Sequence, residues 1–229
     1  MVCQIYYIKT PKEALEVVEA GADYIGLTPY QPKRPKSPVT YEVAKEIIRV
    51  LDGRAVVTVL STFDEPEKII DMAEQIRPNI IQISGTTYFA DAELVKTLKE
   101  RVPGIKVMQA IPMTGPRSVE FALKEAQFVD YLILDSVAAT PEKAGGVIGA
   151  AGVAHDWTLS RKIVEESPAP VMLAGGLGPD NVAAAIRAVR PWGVDSLTKT
   201  NRFLPDGSFV KDIDKVREFC RIAREADEE

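Results

Sequence analysis

The chain has 229 residues, enough for one large domain and short for two. Hydrophobic residues make up 46% and charged residues 27%, which excludes a chain disordered throughout. A net charge of −5 argues against a broad basic face for nucleic acid, and two cysteines with one histidine exclude both a disulfide framework and a zinc cluster. No apolar run approaches the ~18 residues of a membrane helix, and no basic segment followed by an apolar stretch opens the chain. The expected protein is cytoplasmic, with no membrane or nucleic-acid partner.

The elements follow in a regular order. Residues 2–8 are β-branched and aromatic and predict a strand. Thr10-Pro11-Lys12-Glu13 then reads as a helix start, with Ala14, Leu15 and Val18 at helical spacing and Gly21 as the stop. A strand is expected over 23–28, a proline-rich loop over 29–38, and a helix over 40–51. Strands over 54–60, 79–84, 105–111 and 130–136 alternate with helices over 64–76, 90–101 and 116–127. A loop of small residues runs on to 154. Asp156 caps a helix reaching 166; a strand over 169–174, a helix over 179–190, a short strand over 193–197 and a closing helix over 211–226 complete the chain.

These are eight strand–helix pairs, and the strands are continuous apolar runs rather than alternating ones. Such runs suit parallel strands buried on both faces. Eight units in this length predict an α/β fold, a (β/α)8 TIM barrel, as a single domain over 1–229. The competing architecture is an open doubly wound sheet, weakened by the lack of a G-x-G-x-x-G after the first strand.

In a barrel the site lies at the C-terminal strand ends. There the motifs are informative. Leu173-Ala174-Gly175-Gly176-Leu177-Gly178-Pro179-Asp180-Asn181-Val182 resembles the L-x-G-G-L-x-P-x-N-V segment of the phosphoribosylanthranilate isomerase family. Pro32-Lys33-Arg34 is similar to its S-K-R, Ile133-Leu134-Asp135-Ser136 to its L-L-D-T, and Pro191-Trp192-Gly193-Val194-Asp195 to its P-x-G-V-D. Gly149-Ala150-Ala151-Gly152 with His155-Asp156-Trp157 resembles G-G-[ST]-G with F-D-W, and Lys211-Asp212 its late K-D. Departures cluster at the same strand ends. The family's K-I-C-G-I-T is read as Val2-Cys3-Gln4-Ile5-Tyr6, keeping the cysteine as Cys3. Its Q-L-H-G is Gln82-Ile83-Ser84-Gly85, a lysine in strand five is Gln109, and D-V-S-S-G-V-E is Asp195-Ser196-Leu197-Thr198-Lys199-Thr200-Asn201.

The resemblance implies a cofactor-free, metal-free Amadori isomerase of tryptophan synthesis, acting as a monomer or homodimer on an N-(5-phosphoribosyl) amine. In it Asp135 is the general acid and Cys3 the base; a thiol lowered from its usual pKa of ~8.5 suits proton abstraction. Taken alone, Cys3 reads as an inert buried residue, while for Asp135 the functional reading stands ahead of a loop cap. Gly175 and Gly176 let backbone N–H groups approach a phosphate, with Thr198, Lys199 and Thr200 beside them, although a solvated loop fits those three as well. Gln82 and Arg34 are the remaining candidate substrate contacts, Arg34 for a carboxylate. His155 and Cys220 read as packing residues. The alternatives are a sister isomerase or lyase on another phosphorylated sugar, or a barrel that binds a phosphorylated metabolite without catalysis.

Overall fold

The computed structural model describes residues 1–32, 39–85, 87–136 and 155–228. Its strands are β1 (Val2–Tyr6), β2 (Tyr24–Leu27), β3 (Val56–Ser61), β4 (Ile80–Ile83), β5 (Lys106–Met113), β6 (Tyr131–Ser136), β7 (Val171–Leu173) and β8 (Gly193–Ser196). All pair in parallel in chain order, and β1 pairs with both β2 and β8. The sheet therefore closes, which is the (β/α)8 TIM barrel expected, and the open-sheet alternative falls. The helices described between and after the strands are α1 (Pro11–Glu19), α2 (Tyr41–Leu51), α3 (Pro66–Ile76), α4 (Ala92–Arg101), α5 (Arg117–Glu125), α6 (Trp157–Glu166), α7 (Val182–Val189) and α8 (Ile213–Asp227).

Local chemistry sets the helix starts. Thr10 Oγ1 accepts the Glu13 N–H at 3.1 Å, Thr40 Oγ1 the Val43 N–H at 3.2 Å and Asp91 Oδ1 the Leu94 N–H at 2.8 Å. Each satisfies a donor that the first turn leaves without an intrahelical partner, worth ~1 kcal/mol. Pro11 and Pro66 open α1 and α3, where the missing N–H costs nothing.

Side chains alternate between two cores. Ile80, Met108, Ala110, Ile133, Met172 and Ala174 fill the barrel interior. The other phase of each strand, with Cys3, Ile5, Ile25, Val57, Val59, Ile81, Leu132, Leu134 and Val194 among it, packs against the helices. The N-terminal end of the barrel is sealed by rings: Tyr131 stacks on Trp192 at 5.0 Å between centroids, and Tyr24 meets Trp192 edge-on at 5.6 Å.

One element departs from the expected pattern. After β8 come a 3-10 turn (Thr198–Thr200) and an antiparallel hairpin, β9 (Asn201–Phe203) and β10 (Phe209–Lys211). Its turn is closed by Leu204 N–H to Ser208 O at 2.8 Å, with Gly207 at φ +80. Pro205-Asp206-Gly207 is the turn signal that marks it in the sequence. The last helix accordingly begins at Ile213, capped by Asp212, and not at Lys211.

Candidate active site

A cavity of about 290 Å³ opens at the C-terminal ends of the strands. Side chains that point inward near the strand ends build its walls: Tyr6 from β1, Gln82 from β4, Ile133 and Asp135 from β6, Asp195 from β8. Leu60 of β3, Phe209 of β10 and the turn and loop residues Tyr7, Thr28, Gly175, Gly176, Leu177, Leu197 and Thr198 complete it.

Asp135 is the last inward residue of β6. Its Oδ1 accepts the Ser136 N–H at 2.7 Å. Burial pushes its carboxyl up to about 8; the charge of Asp195 adds to the rise and the Ser136 N–H opposes it. Asp195 occupies the matching place on β8 and is 7% exposed. Gln4 Nε2 donates to its Oδ1 at 3.1 Å, and Gln4 Oε1 in turn accepts the Thr58 hydroxyl at 2.9 Å. Burial raises Asp195 to about 7, opposed by the Gln4 hydrogen bond and by the charge of Lys211. Two carboxyls in one cavity are thus both held above the usual range, to different extents.

The glycine turn after β7 is built to bring backbone into the cavity wall. Gly175 and Gly176 have φ of +88 and +64, which favour glycine. A Cβ on Gly175 would stand 2.4 Å from Ser136 Oγ. Asn181 pins the turn: its Nδ2 donates to Gly176 O at 3.0 Å and its Oδ1 accepts the Gly178 N–H at 2.9 Å. Gly175, Gly176 and Thr198 lie together in the cavity wall. Gln82 Nε2 donates to Ser84 Oγ at 2.9 Å, while its buried Oε1 has no hydrogen-bond partner among the described residues. That acceptor in a cavity wall suits a ligand N–H or hydroxyl.

The structure does not bring every expected residue here. Cys3 is fully buried on the outward phase of β1, in the core between sheet and helices, and takes no part in the cavity wall. Its N–H donates to Asp23 Oδ2 at 2.9 Å, and its thiol contacts Cys220 of α8. Lys199 is turned away to Asp180, Nζ to Oδ2 2.6 Å, and lies outside the cavity lining. Thr200 is buried, its hydroxyl donating to Leu197 O at 3.1 Å, so it ties the turn and does not face the cavity. Arg34 and the Gly149–Gly152 motif lie outside the described residues. His155 bridges β6 and α6, Nδ1 to Ser136 Oγ 3.1 Å and Nε2 to Ser160 Oγ 2.8 Å; burial holds it down at about 4, hence neutral. Gln109 faces outward and accepts the Ala90 N–H at 2.8 Å.

A different register of the motif on β1 fits the observed strand. Placing K-I-C-G-I-T three residues later sets it on Gln4-Ile5-Tyr6-Tyr7-Ile8-Lys9, with both isoleucines matched. Its glycine then falls on Tyr7, whose φ of +69 is the left-handed conformation a glycine there would serve. Its cysteine falls on Tyr6, which lines the cavity. An odd shift exchanges the two faces of a strand, so Cys3 and Tyr6 point in opposite directions. The Tyr6 ring lies against Gly26, its register partner on β2: a Cβ on Gly26 would come within 2.3 Å of a ring carbon. Asp195, Tyr6, Tyr7 and Phe209 are the site residues that sequence reasoning left without a role. The end of an apolar strand, which singled out Asp135, marks Asp195 equally well.

The family model described as N-(5'phosphoribosyl)anthranilate (PRA) isomerase matches residues 3–221. An N-(5'-phosphoribosyl)anthranilate isomerase of Methanocella arvoryzae is 32% identical over 94% of each chain, and one of Methanosarcina mazei is 30% identical over 95% of this chain and 91% of its own. The crystal structure of phosphoribosyl anthranilate isomerase from Thermotoga maritima superposes with a TM-score of 0.76 at 32% identity, over 98% of this chain and 100% of that one. With the closed barrel, the glycine turn and the paired strand-end carboxyls all in family order, the chain belongs to the N-(5'-phosphoribosyl)anthranilate isomerase family.

Proposed function

We propose that the protein catalyses the Amadori rearrangement of N-(5-phosphoribosyl)anthranilate to the 1-amino-1-deoxyribulose 5-phosphate, a step of tryptophan biosynthesis, with Asp135 as general acid and Asp195 as general base. The observation that carries this reading is the carboxyl pair. Both acids line one cavity, and both are pushed up, to about 8 and about 7. At pH 7 the first is mostly protonated and about half of the second is ionised, so a proton donor and a proton acceptor stand together in one cavity.

The substrate's phosphoryl group sits on Gly175, Gly176 and Thr198. Asp135 protonates the furanose ring oxygen, the C1–O bond breaks, and a protonated Schiff base forms. Asp195 removes the proton at C2 and leaves a neutral enolamine, which tautomerises to the ketose. Gln82 Oε1 accepts a hydroxyl or N–H of the open chain. A related structure at 29% identity, TM-score 0.75, is described as a complex with reduced 1-(o-carboxyphenylamino)-1-deoxyribulose 5-phosphate, a ligand with the same phosphorylated end.

Tyr6 and Tyr7 favour a second reading, a sister isomerase on another phosphorylated sugar, because two phenol side chains occupy positions where the family motif has a thiol and no side chain. Turnover assays on phosphoribosylanthranilate and on a panel of other N-phosphoribosyl amines and ketose phosphates decide between them. Conversion of the anthranilate at least tenfold faster than any other supports the first reading; the reverse ranking supports the second.

A further inference from the structure

Lys211 is 5% exposed, a costly place for an ammonium unless its environment supplies partners. Its Nζ donates to Leu197 O at 3.1 Å and to Asn201 Oδ1 at 2.7 Å. These acceptors are the two ends of the turn over 197–201 that carries Thr198 to the cavity wall. Its backbone N–H is held by Glu13 Oε1 at 3.0 Å, and the next N–H, of Asp212, donates to Thr200 O at 2.9 Å. Lys211 itself does not line the cavity; it lies behind the wall.

We propose that Lys211 is a positioning residue for both ends of the reaction: its buried ammonium holds the 197–201 turn in the shape that receives a phosphoryl anion, and its charge keeps Asp195 available as a carboxylate. The inference rests on the isomerase reading only in taking the anion to be the substrate's phosphoryl group. A neutral donor would tie the turn equally well. What a neutral donor lacks is charge, and the surroundings use charge. Burial pushes the ammonium down to about 7, opposed by the charges of Glu13 and Asp195, with Lys9 adding to the fall. Asp195 is faced by Gln4, by Lys211 and by the carboxyl of Asp135. In its protonated form Lys211 is therefore a cation that offsets the Asp195 carboxylate.

Three measurements test this. In wild-type protein, the Asp195 carboxyl carbon and the Lys211 Cε are followed by 13C NMR against pH. Coupled titration, each resonance reporting the other's midpoint, is expected; independent titration overturns the charge role. In Lys211→Met, shown by circular dichroism to be folded, the Asp195 midpoint rises by about one pH unit, a tenfold change in its ionisation equilibrium. Calorimetry with inorganic phosphate shows affinity at least tenfold weaker in Lys211→Met. Asn201→Ala, which loosens the turn but keeps the charge, weakens phosphate less and leaves the Asp195 midpoint in place. A folded Lys211→Met with unchanged phosphate affinity and an unchanged midpoint overturns the proposal. If wild-type protein binds no phosphate, the phosphate site proposed above fails, and the wild-type titration still decides the role of Lys211 toward Asp195.

Discussion

At the N-terminal end of the barrel, Tyr24, Tyr131 and Trp192 close the interior with stacked and edge-on rings. At the C-terminal end the same inward positions carry Tyr6, Gln82, Asp135 and Asp195, and an ammonium is buried behind them. The first arrangement gains stability from every contact. The second withdraws ionisable groups from water, which opposes folding unless partners compensate. Alternation along a strand is common to both ends, so the strand pattern does not explain the difference. The polar end is retained for chemistry, and substitutions at the two ends should separate activity from stability.

The largest effect is expected at Asp135. Asp135→Asn should lower turnover ~10³-fold with the fold intact, as loss of a general acid does. It should also raise the melting temperature at alkaline pH. A carboxyl whose folded pKa lies at about 8 favours folding below the unfolded carboxylate value, and this contribution is lost as pH rises through 8. An amide does not pay that penalty. Thermal melts at pH 6 and pH 9 check the sign. At the opposite end, Trp192→Ala should cost about 3 kcal/mol of stability by chemical denaturation, with kcat little changed at temperatures where the variant is folded.

Smaller effects sharpen the picture of the polar end. Gly176→Val should weaken a ribose phosphate at least tenfold, about 1.4 kcal/mol, because φ of +64 is strained for a branched residue and the turn must shift. The wild-type kcat/KM should be bell-shaped. Its acid limb falls as Asp195 is protonated near 7 and its alkaline limb as Asp135 ionises near 8, the two belonging to the pair as macroscopic values. The smallest change is expected at Lys199, whose ammonium is engaged by Asp180. Lys199→Ala should alter phosphate affinity by less than about twofold, the scale of a surface ion pair.

Much of this was legible in the chain itself. Continuous apolar strands separated by capped helices imply a closed parallel barrel, and Gly175-Gly176 with Asp135 mark the site on the side of β6 to β8. The phase of β1 was not legible for a physical reason. Val2–Tyr6 is buried on both faces, so apolar character does not distinguish inward from outward; the left-handed φ of Tyr7 and the place of Tyr6 in the cavity wall locate the motif. Lys199 was misplaced because a charge in a turn does not name its partner, and the Asp180 that engages it lies 19 residues away. The β9–β10 hairpin carried a readable Pro-Asp-Gly turn between strands of three residues each, too short to show a period.

The central claim is that catalysis uses the inward carboxyls and not the outward thiol. The most direct measurement compares Asp195→Asn with Cys3→Ser, both folded, on phosphoribosylanthranilate at neutral pH. The account predicts turnover reduced at least ~10²-fold in Asp195→Asn and within about twofold of wild type in Cys3→Ser, which leaves every cavity-lining side chain in place. Loss of activity in Cys3→Ser with near wild-type turnover in Asp195→Asn would contradict it.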